Sequence, residues 1–479
     1  MKVLFVASEA APFIKTGGLA DVAHSLPKAL KKSKVDIRVI IPKYSKISPE
    51  YIDKMEHVAE FKVPVGWRNQ YCGLEHLKYD GVDFYFMDNE YYFKRNEPYG
   101  HYDDGEIFSF FSRGVLEAIK YMDGFVPDVI HCNDWHSGMI PVLLDAFYRY
   151  DVRYQKMRTI FTIHNLKYQG VFSRTILGEL LGLDNSYFTE EKLKFYDGVS
   201  FIKGGLIYSD IVTTVSETYA NEIKIPYFGE NLDGLLNGID YKLYGILNGI
   251  DYKDYNPRKD NNIVKEYGLT TLKNKLVNKE ALQKEMGLPV DKNIPVIGMV
   301  TRLVGQKGLD LVKGVIKEIL ALDMQLVVVG TGNQMYEDLF RYYSNKYPKK
   351  LKAYIGFSNK IARHVYAGSD MFLMPSQFEP CGIGQLIALR YGTLPIVRET
   401  GGLKDTVQAY NHKTKTGNGF SFTNYNAHDM LHTIENAIKI YAHKKEWLEI
   451  QKNAMRSEIS WKESAKKYRD IYKKLKETE

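Results

Sequence analysis

Val3-Leu4-Phe5-Val6-Ala7, followed by Lys15-Thr16-Gly17-Gly18-Leu19-Ala20-Asp21, is the stretch on which the fold turns. An unbroken apolar run of this length reads as a strand covered on both faces. Two glycines then permit a tight turn, and Leu19–Lys31 carries a helical pattern. The same order opens again at Pro295–Val300, which runs into Thr301-Arg302-Leu303-Val304-Gly305-Gln306-Lys307-Gly308. Similar short runs lie at Ile37–Ile41, Val82–Phe86, Asp128–His131, Arg158–Ile163, Ile211–Val215, Gln325–Val329, Met371–Met374 and Leu394–Val397. Helical patterns such as Asp310–Leu320 and His428–Tyr441 separate them. This alternation predicts βαβ units and doubly wound, mostly parallel α/β sheets.

The 479 residues exceed one ordinary core, so two domains of roughly 200 residues each are expected. The strand series breaks over residues 225–260, where Pro226, Gly229, Gly234, Gly238, Gly245, Gly249 and Pro257 gather. The expected domains are therefore 1–245 and 246–458. A closing amphipathic helix over 459–479 carries the stripe Trp461, Ala465, Tyr468, Ile471, Tyr472 and Leu475, expected to pack back on the first domain. The break also holds a repeat: Leu236-Asn237-Gly238-Ile239-Asp240-Tyr241-Lys242 recurs as Leu247-Asn248-Gly249-Ile250-Asp251-Tyr252-Lys253. Two copies do not make a solenoid.

Composition removes several function classes. With 44% hydrophobic and 26% charged residues, the chain is neither disordered nor fibrous. No apolar run reaches the roughly 18 residues of a membrane helix, and the start reads as a strand rather than a signal peptide. The net charge of +7 comes from 65 basic residues interleaved with 58 acidic ones, so no nucleic-acid face is expected. Cys72, Cys132 and Cys381 lie far apart, with neither zinc spacing nor a disulfide framework, which suits a reducing cytoplasm.

Four segments carry candidate chemistry. Lys15, Gly17 and Gly18 stand where a helix N-terminus could meet an anion. Arg302 and Lys307 flank a turn at the carboxyl end of a strand, where ligands bind in such sheets. Glu379 lies in Phe378-Glu379-Pro380-Cys381-Gly382-Ile383-Gly384-Gln385, a sharp loop before a helix, and Thr400-Gly401-Gly402-Leu403 repeats the first glycine turn. Two anion-type turns in two domains suggest one ligand held between them. The fourth segment is His131-Cys132-Asn133-Asp134-Trp135-His136 with His164-Asn165-Leu166-Lys167-Tyr168-Gln169-Gly170. Its residue types could bind metal, but Asp134 beside Trp135 suits a sugar better: a carboxylate for hydroxyls, an aromatic face for the ring.

Together these residues resemble the bacterial glycogen synthase and starch synthase family, retaining glycosyltransferases of family 5. The matching pieces are residues 15–21, 164–170, Leu247-Asn248-Gly249-Ile250-Asp251, Arg302-Leu303 with Gln306-Lys307-Gly308, residues 378–382, and Tyr391-Gly392-Thr393-Leu394-Pro395 leading to Thr400–Leu403. Their order matches along the whole chain. The resemblance implies a GT-B fold, two Rossmann-like doubly wound domains facing across a deep cleft that closes about a hinge. It implies transfer of glucose from ADP-glucose to the non-reducing end of an α-1,4-glucan (glycogen or a maltooligosaccharide), without metal or other cofactor. It further implies that Lys15, Asp21 and the amides of Gly17 and Gly18 hold the sugar nucleotide. Arg302 and Lys307 would bind the diphosphate, helped by Thr400 and the amides of Gly401 and Gly402. Glu379 would meet the transferred glucose, with Cys381 and Gly382 shaping its pocket. His164, Asp134 and Asn248 would position glucose and acceptor. Related transferases often carry a second Glu eight residues beyond the first; here that residue is Ile387. Retention through a carboxylate nucleophile is therefore not expected, and front-face transfer, with the leaving phosphate as base, is favoured. The first repeat copy also departs from the family, where an Arg-containing stretch is usual, and the functional asparagine is assigned to Asn248.

Overall fold

The computed structural model describes residues 1–477. The chain forms two compact units. One takes Met1–Val215, Ala220–Ile246 and the chain from Trp461; the other takes Ser216–Tyr219 and Leu247–Ser460.

The first unit is built on β1 (Lys2–Val6), β2 (Asp36–Pro42), β3 (Glu56–Val65), β4 (Arg68–Tyr79), β5 (Val82–Asp88), β6 (Val129–Asn133) and β7 (Arg158–Ile163). A small antiparallel sheet of β8 (Val171–Ser173), β9 (Lys194–Phe195) and β10 (Gly198–Ser200) follows, and then β11 (Ile211–Thr214) and β12 (Leu243–Gly245) return to the main sheet. The order of that sheet is β12-β11-β7-β6-β1-β2-β5-β4-β3. All of it is parallel except the β3–β4–β5 edge. β1 is fully buried from Val3 to Val6, as its unbroken apolar run requires.

In this order the chain winds outward from β1 through β2, then returns to the other side of β1 as β6. Ligands of doubly wound sheets bind at such a switch point, at the carboxyl ends of the strands. Those ends lead into the loop before the helix Gly18–Lys32, into Asp134, and into His164.

The second unit has a six-stranded, wholly parallel sheet: β13 (Val296–Val300), β14 (Gln325–Gly330), β15 (Leu351–Ile355), β16 (Met371–Met374), β17 (Leu394–Arg398) and β18 (Phe420–Phe422), in the order β15-β14-β13-β16-β17-β18. Its switch point lies between β13 and β16. The loops that leave these strands carry Arg302 and Lys307, Glu379 and, from β17, Thr400.

Several expectations are corrected. The helix expected over Asp310–Leu320 is two, Leu309–Gly314 and Ile316–Ala321, with Val315 out of helical geometry. Gly314 at the break lowers helix propensity there. The β3–β4 hairpin lies outside the expected strands; it alternates inward Phe61, Val63 and Val65 with more exposed neighbours instead of forming an apolar run. The C-terminal helix Trp461–Glu477 packs on the first helix and on β6, with Tyr472 Oη 2.7 Å from His131 Nδ1. No helix among the described residues is long and apolar enough to cross a membrane.

Candidate functional site

In the first unit, the glycine turn is already occupied from within. Glu9, buried just past β1, accepts the Thr16 amide at 2.6 Å, the Thr16 hydroxyl at 2.5 Å, and the amides of Gly17 and Ala20 at 3.1 Å each. Burial pushes its carboxyl up, against those hydrogen bonds. The Gly17 amide, expected to hold a ligand, is here bonded to Glu9, which fixes the shape of the turn. Thr16 also meets the Tyr99 hydroxyl. Lys15 is exposed and ion-paired with Asp21 at 2.7 Å, so the two expected ligand contacts restrain each other.

At the end of β6 the chain is held in a strained shape. Asp134 adopts φ 56°, the left-handed region. Its carboxylate accepts the His164 amide at 2.8 Å and also the Asn165 amide. Asp134 therefore organises the His164 loop. Burial raises its carboxyl to about 7 despite those amides. The His164 ring reaches Asn133 Oδ1 at 2.9 Å. Burial lowers its imidazole to about 3, so it is neutral at pH 7. Gly170, which closes this loop at φ 59°, lies against Trp135; a Cβ there would stand 2.3 Å from the indole. His131 and His136 turn away from any shared role. His131 is engaged by Tyr472 and Thr162, and His136 stacks on Trp135 with ring centroids 4.0 Å apart.

In the second unit, two loops are stitched together. Gln377 donates its amide to the Gln306 carbonyl at 2.9 Å, and the Gln306 side chain returns a bond to Phe378 O at 3.3 Å. Gly308 makes this approach possible: at φ 73°, a Cβ would stand 1.9 Å from the Pro375 carbonyl oxygen. The stitching brings Lys307 Nζ to 2.6 Å from Glu379 Oε2, which also accepts the Ser376 hydroxyl at 3.0 Å. Glu379 Oε1 has no protein partner among the described residues. Arg302 is exposed, and its guanidinium has no hydrogen-bond or ionic partner among them.

Around Glu379 the pocket walls are set by backbone packing. Gly402 donates its amide to the carbonyls of Glu379 and Pro380, both at 3.1 Å. That amide, expected to help hold phosphate, is here engaged within the loop. Gly401 and Gly402 stand here because side chains do not fit: their Cβ atoms would lie 2.0 Å from Glu379 O and 2.2 Å from Cys381 O. Thr400 begins this turn, its amide on Arg398 O at 2.9 Å. Gly382, at φ 73°, starts the next turn, with its carbonyl accepting from Gln385. Burial pushes the Cys381 thiol up to about 12, so it is a protonated wall and not a nucleophile. Its sulfur accepts the Asn248 amide. Asn248 is buried, and its Oδ1 has no partner among the described residues.

Sequence reasoning missed Glu9, Tyr99, Asn133 and Ser376. Only Glu9 left a signal: a carboxylate immediately after a buried strand, within reach of the turn that follows.

The starch synthase catalytic domain family matches residues 2–238, and the glycosyl transferases group 1 family matches residues 279–454. The chain is 60% identical to the glycogen synthase of Clostridium acetobutylicum, over 98% of this chain and 99% of that protein. The chain belongs to the glycogen and starch synthase family. A second relative, the glycogen synthase of Geobacillus thermodenitrificans, is 56% identical over 99% of this chain and 98% of its own. Among solved structures, the catalytic domain of starch synthase IV from Arabidopsis thaliana, bound to ADP and acarbose, matches with a TM-score of 0.92 at 32% identity, covering 99% of each chain. Sucrose-phosphate synthase from Thermosynechococcus elongatus shares the fold at a TM-score of 0.63 and 14% identity, covering 99% of this chain and 98% of that one. The two doubly wound sheets are the Rossmann-like halves of the GT-B fold that this family uses.

Proposed function

We propose that the chain transfers glucose from ADP-glucose to the non-reducing end of an α-1,4-glucan, glycogen or a maltooligosaccharide, with retention at the anomeric carbon. The observation that carries this reading is the unpartnered Arg302 guanidinium, on the loop that also carries Lys307, itself paired with Glu379 of the loop after β16. An exposed, unpaired cation on the loop that carries Lys307 suits an anion that comes and goes. When the bond from glucose to diphosphate breaks, negative charge grows on the phosphate. Arg302 and Lys307 answer it with their positive charge. Positive charge grows on the sugar, and Glu379 answers that with its carboxylate. Glu379 Oε2 is tied to Lys307 and Ser376, which leaves Oε1 to accept sugar hydroxyls. In the same unit Asn248 Oδ1 is a further acceptor of the kind hydroxyls need, and in the first unit the neutral His164 ring offers another.

Retention without a nucleophile is supported by the helix Gly384–Arg390 that follows the Glu379 loop. Position 387, where a second carboxylate would stand, is a buried Ile. In the proposed step the bond from C1 to the phosphate oxygen breaks. A bond from C1 to the acceptor oxygen forms on the same face, and the acceptor's proton passes to the leaving phosphate. The three cysteines are free and buried, which supports a cytoplasmic setting for this reading.

The test is glucose transfer to glycogen from labelled ADP-glucose, beside UDP-glucose and in the presence of EDTA. Fast, EDTA-insensitive transfer from ADP-glucose is expected. No transfer from either donor, by protein that still binds ADP, would overturn the reading.

The repeat supplies a sharper check. Asn237 donates to the carbonyls of Lys224 at 2.6 Å and Asp233 at 2.8 Å on an exposed helix, so Asn237→Ala should lower stability by no more than about 1 kcal/mol and leave turnover near normal. Asn248→Ala removes the buried, unpartnered oxygen and is expected to lower kcat tenfold or more. Equal losses in steady-state assays of the two variants would refute the assignment of Asn248.

A further inference from the structure

The end of β6 holds a hydrogen-bond network whose directions can be worked out completely. Asn133 is fully buried. Its side-chain nitrogen Nδ2 lies 2.9 Å from the Val6 carbonyl oxygen and 3.2 Å from the His131 carbonyl oxygen. Carbonyl oxygens only accept, so both hydrogens of Nδ2 are committed to them. Turning the amide over would press Oδ1 against two carbonyl oxygens and leave two acceptors facing it without a donor. The amide therefore has one orientation, and Oδ1 points the other way, to His164 Nε2 at 2.9 Å. An amide oxygen cannot donate. The proton of that bond must come from the histidine.

The rest of Asn133 is held as firmly. Its amide donates to Ser137 Oγ at 2.7 Å, and the Ser137 hydroxyl returns to the Asn133 carbonyl at 2.9 Å. Next to it, Asp134 holds the His164 backbone amide. One residue at the end of β6 thus grips the ring of His164 and its neighbour grips the backbone. The remaining ring nitrogen, Nδ1, has no protein partner among the described residues.

We infer that Asn133 is a positioning residue that fixes His164 as its Nε2–H tautomer, so that Nδ1 is a bare acceptor reserved for a hydroxyl of the bound sugar. The second half of this statement rests on reading His164 as a sugar contact; the first half does not. In this state His164 has no proton at Nδ1 to give. It selects a ligand group that donates, and it does not act there as an acid or as a cation toward phosphate. The burial that keeps the ring uncharged at neutral pH agrees with this geometry.

The tautomer can be read directly in the intact protein. Histidine-selective 15N labelling gives 12 ring systems, and the His164 signals are those absent from His164→Gln. At pH 7 the unsubstituted protein should show a pyrrole-type Nε2 and a pyridine-type Nδ1 for this residue. The reverse pattern, or an imidazolium, would overturn the inference without recourse to any further variant. In Asn133→Ala, the signals should shift toward a mixture of tautomers; an unchanged pattern in folded protein would show that Asn133 is not what fixes the ring. The same variant should lose roughly tenfold to a hundredfold in kcat, the scale on which a misplaced contact acts. The KM for ADP-glucose should change less. A fixed tautomer in the unsubstituted protein, released in Asn133→Ala with turnover unaltered, would refute the sugar-contact half and leave the tautomer half standing.

Discussion

Arg302→Ala is expected to lower kcat by a hundredfold or more while leaving thermal unfolding within about 1–2 °C of the unsubstituted protein. Both halves follow from its surroundings. The guanidinium is exposed and touches no partner among the described residues, so its removal breaks nothing in the folded chain. Surface changes of that kind stay within about 0.5 kcal/mol, which for a domain of this size is a shift of one or two degrees. The rate loss rests on the reading that Arg302 meets the diphosphate as it leaves. One fixed charge facing growing charge in the transition state is worth about 3 kcal/mol, or roughly a hundredfold. Arg302→Lys should recover only part of the rate, because an ammonium lacks the planar fork that matches two phosphate oxygens. Initial rates and a melting curve on the same preparation decide it. Near-normal turnover by a folded Arg302→Ala would remove Arg302 from the mechanism.

Lys307→Ala should behave differently, because Lys307 has a partner. Its ammonium lies 2.6 Å from Glu379 Oε2, and the Glu379 side chain is only 9% exposed. Removing the cation leaves a nearly buried carboxylate with the Ser376 hydroxyl and little else. A loss of about 1–3 kcal/mol in stability is expected beside a loss of two or more orders of magnitude in kcat. Glu379→Gln keeps the shape and removes the charge, and should also reduce kcat severely. The decisive variant is the double one. With no carboxylate to strand, Lys307→Ala with Glu379→Gln should be more stable than Lys307→Ala alone, and no more active. The cycle isolates the coupling between two contacting residues. If the stability losses simply add, the pair contributes nothing as a pair. If Glu379→Gln alone keeps most activity, its charge has no part in the step.

Much of this arrangement is legible in the amino-acid sequence. Strands buried on both faces announce themselves as short runs rich in apolar, β-branched or aromatic residues, and β1, β6, β7, β13, β14, β16 and β17 all show themselves in that way. The loops that leave β13 and β16 are legible too, because Arg302, Lys307 and Glu379 stand beside glycines and a proline that mark sharp turns. The β3–β4 hairpin is not, because a half-exposed edge alternates and its period competes with that of a helix. The break at Val315 stays hidden because a single glycine inside a helical pattern is usually tolerated.

The pairings within each unit lie beyond sequence. Glu9 and Thr16, Lys15 and Asp21, and Lys307 and Glu379 are separated along the chain by anything from a few residues to 72, and nothing local says which charge meets which. The glycines near 401 look like amide donors for a ligand. Packing uses the Gly402 amide within the loop and needs both residues for their missing side chains.

The repeat separates the two contributions most clearly. Residues 236–242 and 247–253 are the same seven amino acids, with the same local propensities. The first copy completes the helix Asp233–Gly238 and a tight turn Asp240–Lys242, with the Lys242 ammonium on the carbonyls of Ile207 and Ser209. The second runs without helix until a turn at its end, with the Ile250 amide on the Ile459 carbonyl and the Tyr252 hydroxyl accepting from the Ile459 amide. Sequence by itself determined the central strands of the two large sheets, because burying an apolar run on both faces outweighs any alternative. Where propensity is even, as in these seven residues, the conformation follows from whichever distant backbone groups need partners, and only the tertiary structure supplies them.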